Sequence, residues 1–514
     1  MEYQVAPEMY VVFFGYLILM VLIGVLTSKY IRSLRDFYIS SGLTMAPLVG
    51  TLLATTMSGM GYIGTAGSAY LYGYPFFAET FFPAFAMIIA TTLFGPRLYR
   101  YVKRHKLITI PDFFEHKFGE SKFLRILTII ACFIPSVFVL LGQYKAIGMV
   151  MQALWGWPYE QAVVVGAVII ILYCVLGGIY AVAWTDLVQY VVMMIATFVT
   201  FGVAMSAVGG IDGLTAGLKA IDPNLIAVSA PKGPVSWPYF FTMVFIVPLG
   251  LAANPRTIQR NWMPAKISYY RWLPMIGFVL WVVVQNLNKF SGMSVRVLAA
   301  QGLMPVPKDA DMTLPLLCVY FLPPILGGLF ISALTAAVMS TVDSLLIISS
   351  SLFVRDIYQK LINPNASERK LILWSRIVAA LVAVVTLLLS FVSPGTLIVW
   401  LVWASDGSAA AMLFPAFLAT IYWRRVSKWG VAASIITGLV VGFSLGYYNN
   451  YVSPLPFFAF FPATLASLAV VVIASLLTKP PKAVEKGVGT CVKPPTMTLS
   501  HEDGVKALAQ KVIT

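Results

Sequence analysis

Charged residues are scarce in this chain. Of its 514 residues only 11% are Asp, Glu, Lys or Arg, whereas 59% are hydrophobic and the mean hydropathy is +0.86. Soluble domains average about 25% charged residues. A charge deficit of this size excludes an ordinary soluble globular protein and places the chain in a lipid bilayer.

Histidine and cysteine are equally rare, which argues against several kinds of chemistry. The chain has them at His105, His116 and His501 and at Cys132, Cys174, Cys318 and Cys491. The histidines fall in predicted loops or in the C-terminal tail, so no His-based metal or nucleophile site is expected. The cysteines lie far apart without metal-ligand spacing, so neither a disulfide framework nor a zinc site is expected. A Gly-x-x-x-x-Gly-Lys phosphate loop is also missing, which argues against an ATP-driven pump. We therefore expect neither an enzyme nor an organic cofactor.

Long apolar segments are what the chain has instead. They recur from about residue 9 to about residue 478, and a spanning helix needs about 20 apolar residues. We predict an all-α polytopic membrane protein with about thirteen transmembrane helices, which begin near residues 9, 45, 75, 122, 160, 185, 237, 271, 314, 370, 396, 429 and 455. The first segment has no charged leader and no A-x-A-like cleavage site, so we interpret it as a retained helix. Residues 1–478 are thus expected to form one transmembrane domain, and the Pro- and Lys-rich residues 479–514 a flexible tail.

The basic residues indicate how the helices are oriented. The net charge of +15 is scattered among short loops, which fits the positive-inside rule better than a nucleic-acid surface. If the N-terminus is outside, the inside loops are all basic, namely "KYIRSLRD", "RLYRYVKRHK", "PRTIQRNWMPAK", "RDIYQK" to "ERK" and "WRRVSK", together with the tail. The outside loops, such as "WGWPYE" and "NNYVSP", carry almost no Lys or Arg. An external N-terminus and a cytoplasmic C-terminus satisfy this asymmetry.

Two predicted spans are poor helices. Residues 51–74 contain five glycines, and residues 239–257 contain Pro248, Gly250 and Pro255. Interrupted helices survive at membrane depth where their freed backbone groups line a cavity buried in protein. A pair of them in corresponding positions of two halves indicates a transporter site. The alternative is that the glycines serve only close helix packing.

The two poor helices are the second and seventh spans, which predicts an inverted repeat. An odd repeat length turns the second half upside down in the membrane, and this is the geometry of alternating access. The first repeat is expected at about 45–208 and the second at about 237–422. Peripheral helices are expected at 9–28, 429–448 and 455–477.

A stripe of hydroxyl residues marks the ninth predicted span. On a helix with about 100° per residue, Ala337, Ser340, Thr341 and Ser344 fall on one face, with Asp343 at its flank. A hard monovalent cation prefers oxygen ligands, and the freed carbonyls of the second span would complete the set. Alternatively, the hydroxyls join helices or bond back to their own helix. The carboxylate favours a functional role, because an intramembrane charge is expensive.

Several segments resemble the sodium/solute symporter family. They are "LLATTMSGMGYIG", "VLGGIYAVAWTDLVQ", "ANPRTIQR", "ALTAAVMSTVDSLLIISSSLFVRDIY" and "FPAFLATIYWRR". The resemblance covers roughly residues 9–450. It implies an inverted five-plus-five core of the LeuT type, with discontinuous helices, and sodium-coupled symport.

The same resemblance implies where the ions bind. The principal sodium ligands would be the backbone carbonyls of Ala54, Met57 and Ala337 and the hydroxyls of Ser340 and Thr341. Some members have a second cation site, which here would consist of Asp186, Ser340, Asp343 and Ser344. A hydroxyl residue often stands in the place of Asp343 in related sequences, so sodium and a proton both remain open for this site. Asp186 alternatively has only a packing or loop-capping role.

The solute is expected at mid-membrane between the interrupted spans and their neighbours. The candidate residues are Thr55, Thr56, Ser58, Gly59, Glu79, Gln143, Lys145 and Asn254. Lys145 or Gln143 would receive a carboxylate of the solute. Alternatively, Glu79 and Lys145 neutralise one another inside the membrane.

Three further charged residues fall within apolar segments. Lys289 and Arg296 lie in the eighth span and are expected to snorkel to the surface. Asp406, in "LVWASDGSAAAMLFP", has no role that the sequence assigns.

Together these features predict a multi-pass protein of a bacterial-type inner membrane that couples inward sodium flow to uptake of a small organic solute. The intramembrane basic residues favour a carboxylate such as pantothenate or a short monocarboxylate. Proline or another amino acid is the alternative, and a solute-sensing receptor of the same fold is a second class. The expected partners are sodium, the solute and lipid, with neither nucleic acid nor an obligate protein partner.

Overall fold

The structure is a computed structural model, and it describes residues 5–28, 33–39, 42–174, 178–229, 236–392 and 396–479. The regular elements of these residues are helices, and the one β-bridge among them is an isolated pair between Leu43 and Pro264. The predicted flexible tail lies outside the described residues except for its first residue, Lys479.

The described part of the chain contains twenty-one α-helices, together with shorter 3-10 and π-helical segments. They are α1 (Pro7–Ser28), α2 (Leu34–Tyr38), α3 (Met45–Gly59), α4 (Thr65–Tyr72), α5 (Phe81–Ile88), α6 (Gly95–His105), α7 (Ile110–Phe118), α8 (Lys122–Trp155), α9 (Tyr159–Cys174), α10 (Ile179–Val208), α11 (Gly210–Ile221), α12 (Trp237–Ala253), α13 (Pro255–Arg260), α14 (Leu273–Ala300), α15 (Thr313–Phe321), α16 (Pro324–Ser351), α17 (Glu368–Ser390), α18 (Ile398–Met412), α19 (Phe414–Tyr422), α20 (Lys428–Tyr451) and α21 (Phe460–Leu477).

Ten helical stretches of the described residues are long and apolar enough to cross a membrane, so the chain is a multi-pass membrane protein. They are Pro7–Leu26, Tyr74–His105, Lys122–Trp155, Ala181–Val208, Leu273–Ala300, Pro324–Ile362, Glu368–Ser390, Ile398–Tyr422, Lys428–Tyr451 and Phe460–Leu477. The other three predicted spans correspond to α3 with α4, to α9 and to α12, which are shorter or interrupted. The total of thirteen spans stays a prediction.

The ninth span begins later than the sequence pattern indicates. A start near residue 314 is wrong, because α15 ends at Phe321 and α16 begins at Pro324. Leu322 has extended backbone (φ −90°, ψ 143°). The ring of Pro323 explains this conformation, since a proline disfavours helical dihedrals in the residue before it.

Both poor helices are interrupted where the sequence indicated. In α3, Ser58 has φ 56° and ψ −176°, a conformation that residues other than glycine rarely adopt. Asn254 separates α12 from α13 with extended backbone (φ −60°, ψ 136°), as expected for a residue that precedes a proline, here Pro255. Each break releases backbone groups from the helical ladder inside the protein.

Helix α16 lies at the centre of the molecule. Its span is 83% buried, and it packs against α1, α3, α8 and α10. The spans of α1, α17, α20 and α21 are only 33–39% buried, as expected for helices that face lipid. The hydroxyl stripe of α16 is therefore turned toward protein rather than toward hydrocarbon.

Glycines permit close helix crossings in both interrupted spans. A Cβ on Gly250 of α12 would lie 1.7 Å from the carbonyl oxygen of Asp406 in α18, and one on Gly50 of α3 would lie 2.7 Å from the Cα of Leu187 in α10. Small residues permit such approach of backbones in membrane proteins. The crossing at Gly250 brings α18 close to the break that follows α12. The crossing at Gly50 brings α10 against α3.

Candidate ion and solute site

Four of the five residues predicted for the principal sodium site converge at the break in α3. The Ser340 hydroxyl donates to the carbonyls of Ala54 and Ala337, each at 3.2 Å. The Thr341 hydroxyl also lies 3.2 Å from the Ala337 carbonyl. All four residues are fully buried. A hydroxyl can donate to one carbonyl and still offer lone pairs to a cation, so this set of oxygens has the chemistry of a hard-cation site.

Met57, the fifth predicted ligand, is engaged differently. Its carbonyl accepts the backbone N–H of Met60 on the far side of the break. The Thr341 hydroxyl instead reaches the carbonyl of Thr55 at 3.2 Å. The Thr55 carbonyl is thus an oxygen of the cluster that the sequence did not indicate, because only the register of α3 against α16 decides which carbonyl faces the stripe.

The residues predicted for a second cation site lie next to the first. The Asp186 carboxylate accepts from Thr51 Oγ1 at 2.5 Å and faces Thr55 Oγ1 at 3.5 Å. The Asp343 carboxylate accepts the backbone N–H and the hydroxyl of Ser344 at 2.5 and 3.2 Å. Asp186 Oδ1 and Asp343 Oδ2 are buried and have no hydrogen-bond partner among the described residues.

Two arginines that the sequence pattern assigned to a cytoplasmic loop are buried in this cluster. The segment "PRTIQRNWMPAK" was predicted to be a basic inside loop, but its first part, Pro255–Arg260, is a helix in which Arg256 is fully buried and Arg260 is 1% exposed. The Arg260 Nη2 donates to Thr55 Oγ1 at 3.0 Å and to the hydroxyl of Ser344. The basic residues of this segment matched the Lys/Arg asymmetry expected of inside loops. The extended Asn254 instead keeps the chain inside the protein, where it re-forms a helix.

The second break is held by α18. Asn254 Nδ2 donates to Ser405 Oγ at 3.1 Å and to Asp406 Oδ1 at 3.2 Å, and Arg256 Nη2 lies 3.6 Å from the same carboxylate oxygen. Asp406 thereby has a partner that the sequence did not show. The Arg256 Nη1 also approaches the Thr55 carbonyl at 3.5 Å, so the two breaks are neighbours.

Most candidate solute residues surround these breaks. Gln143 Oε1 accepts the backbone N–H of Gly59 at 2.9 Å, and the Ser58 hydroxyl accepts that of Met60 at 3.2 Å. The Thr56 hydroxyl bonds back to the Leu52 carbonyl at 2.6 Å. The break therefore presents polar groups from α3 and α8 to the same buried region.

Glu79 and Lys145 do not neutralise one another, so that alternative is wrong. Lys145 Nζ lies 2.9 Å from Asp309 Oδ2 and 2.8 Å from Asp311 Oδ2. Glu79 Oε2 lies 2.8 Å from Lys289 Nζ. Lys145 and Glu79 are therefore each paired with an oppositely charged residue from another element of the chain.

The expectation that Lys289 snorkels to the surface is also wrong. The side chain is fully buried, pairs with Glu79, donates to Thr80 Oγ1 at 2.6 Å and lies over the ring of Phe76. A lysine that has a carboxylate in reach need not extend to water. Arg296, about two helical turns after Lys289, is half-buried, and its guanidinium lies over the ring of Tyr70.

A cavity of about 860 Å³ lies beside Lys145. Its lining combines aromatic side chains with amides, including Tyr159, Tyr239, Trp400, Asn449 and Asn450. Residues of α8, α12, α18 and α20 contribute to the wall.

A bundle of membrane-spanning helices, with two of them broken around buried oxygens, is the arrangement found in many secondary transporters. The model of the sodium:solute symporter family matches residues 37–438, and the chain belongs to this family. This membership confirms the family that the sequence motifs indicated.

Similar proteins with known names fall into the same group. The chain is 28% identical over 484 residues to the osmoregulated proline transporter of Bacillus subtilis, covering 91% of this chain and 94% of that protein. It is 27% identical over 410 residues to the sodium/pantothenate symporter of Haemophilus influenzae, covering 79% and 83%. A solved structure of a Na⁺-coupled sialic acid symporter, in a substrate-bound outward-open state, shares the fold with a TM-score of 0.77 at 20% identity, covering 93% of this chain and 99% of that one.

Proposed function

We propose that this protein is a secondary active symporter that imports a small organic solute with sodium by alternating access, in a bacterial-type inner membrane. The family already supports sodium-coupled solute import. The observation that carries the proposal is the contact between Ser340 and Thr341 of α16 and the carbonyls of Ala54 and Thr55 beside the break. These oxygens are buried in protein, and an interrupted helix is tolerated at membrane depth in such surroundings. The oxygens can therefore replace the water ligands of a cation.

The principal sodium site consists, in this proposal, of the carbonyls of Ala54, Met57 and Ala337 and the hydroxyls of Ser340 and Thr341. The ion would join α3 to α16. Because the two helices belong to opposite halves of the repeat, binding of the ion would favour the arrangement in which they touch. A ligand shifts a conformational equilibrium only by its difference in affinity for the two states.

The proposed topology has thirteen spans in one transmembrane domain, with an external N-terminus and a cytoplasmic C-terminus. Its core is an inverted five-plus-five repeat at about 45–208 and 237–422. The positions of Ser58 and Asn254, in spans that are five apart, support this arrangement. Breaks at matching positions are expected when two halves share one fold in opposite orientations.

The solute would bind between the two breaks, near Thr55, Thr56, Ser58, Gly59, Gln143 and Asn254. Glu79 and Lys145, which were also candidates, are engaged in ion pairs and would contribute through those pairs. We favour a carboxylate-bearing solute, since the relatives named above transport pantothenate and proline, which both carry a carboxylate.

A zwitterion such as proline is the second candidate, and the charge pairs favour it. Lys145, Lys289 and Arg256 each face a carboxylate of the protein. A net anion would need a compensating positive charge in the membrane, from the protein or from the co-transported sodium ion, whereas a zwitterion brings both charges with it.

Uptake into proteoliposomes tests the function. Purified protein would be reconstituted, and labelled proline, pantothenate and a short monocarboxylate would be offered with an inward sodium gradient, with equal sodium on both sides, or with potassium in place of sodium. We expect accumulation of one of them only with the gradient. Accumulation that ignores sodium would refute sodium coupling. Saturable binding in sodium without uptake would instead indicate a solute-sensing receptor.

A further inference from the structure

We infer that a small cavity between α7, α8, α13 and α16 is the closed form of a release subsite, which the solute occupies last before it reaches the cytoplasm. Its binding groups are the amide of Gln259 and the indole of Trp262, and both residues line this cavity. The inference rests on the proposed function, because it adds a second position for the solute to the same transport path.

The small cavity and the large cavity beside Lys145 lie on opposite sides of the second break. On α8, Cys132 lines the small cavity and Lys145 lines the large one, which places these two residues about 20 Å apart along the helix. Tyr239 of α12 lines the large cavity and Gln259 of α13 the small one, with the break at Asn254 between them. A solute that passes from the large cavity along this break therefore reaches the small cavity.

In the proposed topology the small cavity is on the cytoplasmic side. Thr109, a residue of its wall, follows the exposed Lys103 and Lys106 in sequence. Trp262, on another part of the wall, precedes the exposed Lys266. Lysine and arginine are concentrated in the cytoplasmic loops of membrane proteins. A solute that leaves this cavity between the two basic segments would therefore enter the cytoplasm.

Two buried polar groups of the wall lack a partner. Gln259 Nε2 donates to the Tyr38 carbonyl at 2.8 Å, which fixes the orientation of the amide. Gln259 Oε1 and Trp262 Nε1 have no hydrogen-bond partner among the described residues, although these side chains are only 5% and 4% exposed. Leaving a buried donor or acceptor without a partner is unfavourable.

One free acceptor and one free donor at the same cavity indicate the chemistry of the ligand. They are the complement of a small solute that has a hydrogen-bond donor as well as a carboxylate. Proline and pantothenate both have these groups, whereas acetate has only the carboxylate. The release subsite therefore favours the first two over a plain monocarboxylate.

The cavity is closed in this structure. Its volume is about 10 Å³, which is about the space that one water molecule needs. The Thr109 hydroxyl donates to Asp356 Oδ1 at 2.8 Å, and the guanidinium of Arg125 donates to the same oxygen. These contacts join α7 and α8 to Leu352–Ile362, the helical segment that follows α16. Entry of the solute requires that these segments separate.

Cys132 provides a reporter of this opening. Its thiol is free and fully buried, and it belongs to the cavity wall. Cys318 is a matched control, because its thiol is also free and fully buried. It belongs to α15, which contributes no residue to this wall within the described part of the chain.

The rate of thiol modification tests whether the cavity opens to the cytoplasm. Proteins that keep only Cys132 or only Cys318, with the other cysteines replaced by serine, would be treated with a negatively charged methanethiosulfonate reagent in inside-out vesicles. Sodium should favour the closed arrangement, so we expect Cys132 to react about tenfold or more faster in potassium than in sodium. Cys318 should show no such difference. Equal rates for Cys132 in both buffers, or the same sodium effect at Cys318, would overturn the inference.

Trp262→Phe tests the binding group itself, because it keeps an aromatic ring and removes the N–H. Half-saturating concentrations of labelled proline and pantothenate would be measured from each side, in right-side-out and inside-out vesicles. We expect the cytoplasmic value to rise about threefold to tenfold, as for the loss of one hydrogen bond. The external value should not change, since an external solute reaches the breaks without contacting Trp262.

Trp281→Phe is the matched control for this substitution. Trp281 Nε1 is also buried without a partner among the described residues, but Trp281 belongs to α14 and is 1% exposed outside this cavity. We expect no change on either side.

Three results of these measurements would overturn the release subsite. They are equal shifts on both sides in Trp262→Phe, unchanged values in a folded Trp262→Phe protein, and accumulation of acetate but of neither proline nor pantothenate. Unchanged values with a lower unfolding temperature would mean that Trp262 holds only a structural water molecule. Uptake by the unmodified protein that ignores sodium would instead overturn the proposed function. Modification of Cys132 requires no change at Trp262, so it tests the inference even if Trp262→Phe does not fold.

Discussion

Removal of the two hydroxyls on α16 is the most direct perturbation of the proposed ion site. In the variant Ser340→Ala/Thr341→Ala, the oxygens that face the carbonyls of Ala54 and Thr55 at 3.2 Å are lost. Both side chains are fully buried, so bulk water does not reach the gap. The half-saturating sodium concentration of transport should therefore rise.

The size of the effect follows from the strength of polar contacts to a charge. Such a contact contributes about 1.5–3 kcal/mol, and about 1.4 kcal/mol corresponds to a tenfold change in affinity. Loss of one hydroxyl should raise the half-saturating sodium concentration about tenfold. Loss of both should raise it about a hundredfold, if the two contributions add.

Sodium-dependent uptake into proteoliposomes measures this shift, with thermal unfolding in detergent as the check on folding. Thr341→Val is an isosteric control, because it keeps the shape and removes only the oxygen. Ser332→Ala/Thr335→Ala is the matched control on the same helix. Those two hydroxyls are equally buried but bond back to the carbonyls of their own helix at 2.8 and 2.9 Å.

Two results would refute the reasoning. The first is an unchanged half-saturating sodium concentration in a folded Ser340→Ala/Thr341→Ala protein. The second is a shift of equal size in the Ser332→Ala/Thr335→Ala control, which would mean that any lost hydroxyl in α16 weakens transport through packing. A Thr341→Val protein that keeps its sodium affinity would exclude this hydroxyl alone as a ligand.

Two further predictions concern stability. Lys145→Met leaves the fully buried Asp311 without its cation and should destabilise the protein by about 3–5 kcal/mol, measured as a lower unfolding temperature. Addition of Asp311→Asn should restore most of this lost stability. A double variant as unstable as Lys145→Met alone would contradict the pairing. Gly250→Ala places a Cβ 1.7 Å from the carbonyl oxygen of Asp406 and should abolish folded expression, whereas Gly202→Ala, with nothing within 4 Å, should be tolerated. Normal membrane levels of Gly250→Ala would show that α12 and α18 do not cross so closely.

Local sequence was sufficient to identify the two interrupted spans and the hydroxyl stripe. Glycines in residues 51–74 and Pro255 act on the backbone of their own neighbourhood, so interruptions within residues 51–74 and 239–257 could be predicted, although not that they fall at Ser58 and Asn254. The stripe on α16 follows from helical periodicity alone. These features were therefore predictable one segment at a time.

Charged side chains were predicted less well, because their environment depends on distant segments. Arg260 was assigned to a loop, yet it bonds to Ser344, 84 positions away in sequence. The alternative pairing of Lys145 with Glu79 and the snorkelling of Lys289 were wrong for the same reason, since the partners of both lysines come from other elements of the chain. A charge in an apolar segment is a signal that a partner exists, but the sequence does not say which residue it is.

The sequence by itself determined the membrane setting, the family, the two spans that are interrupted and the face of α16 that carries oxygens. Those properties depend on composition and on contacts within a few residues. Only the tertiary structure decided that α3 meets α16 at Ala54 and Thr55, that Arg260 lies between Asp186 and Asp343, and that Lys145 pairs with Asp311. The reason is physical: a buried charge is stable only beside a counter-charge, and which one it meets depends on how helices far apart in the chain pack together.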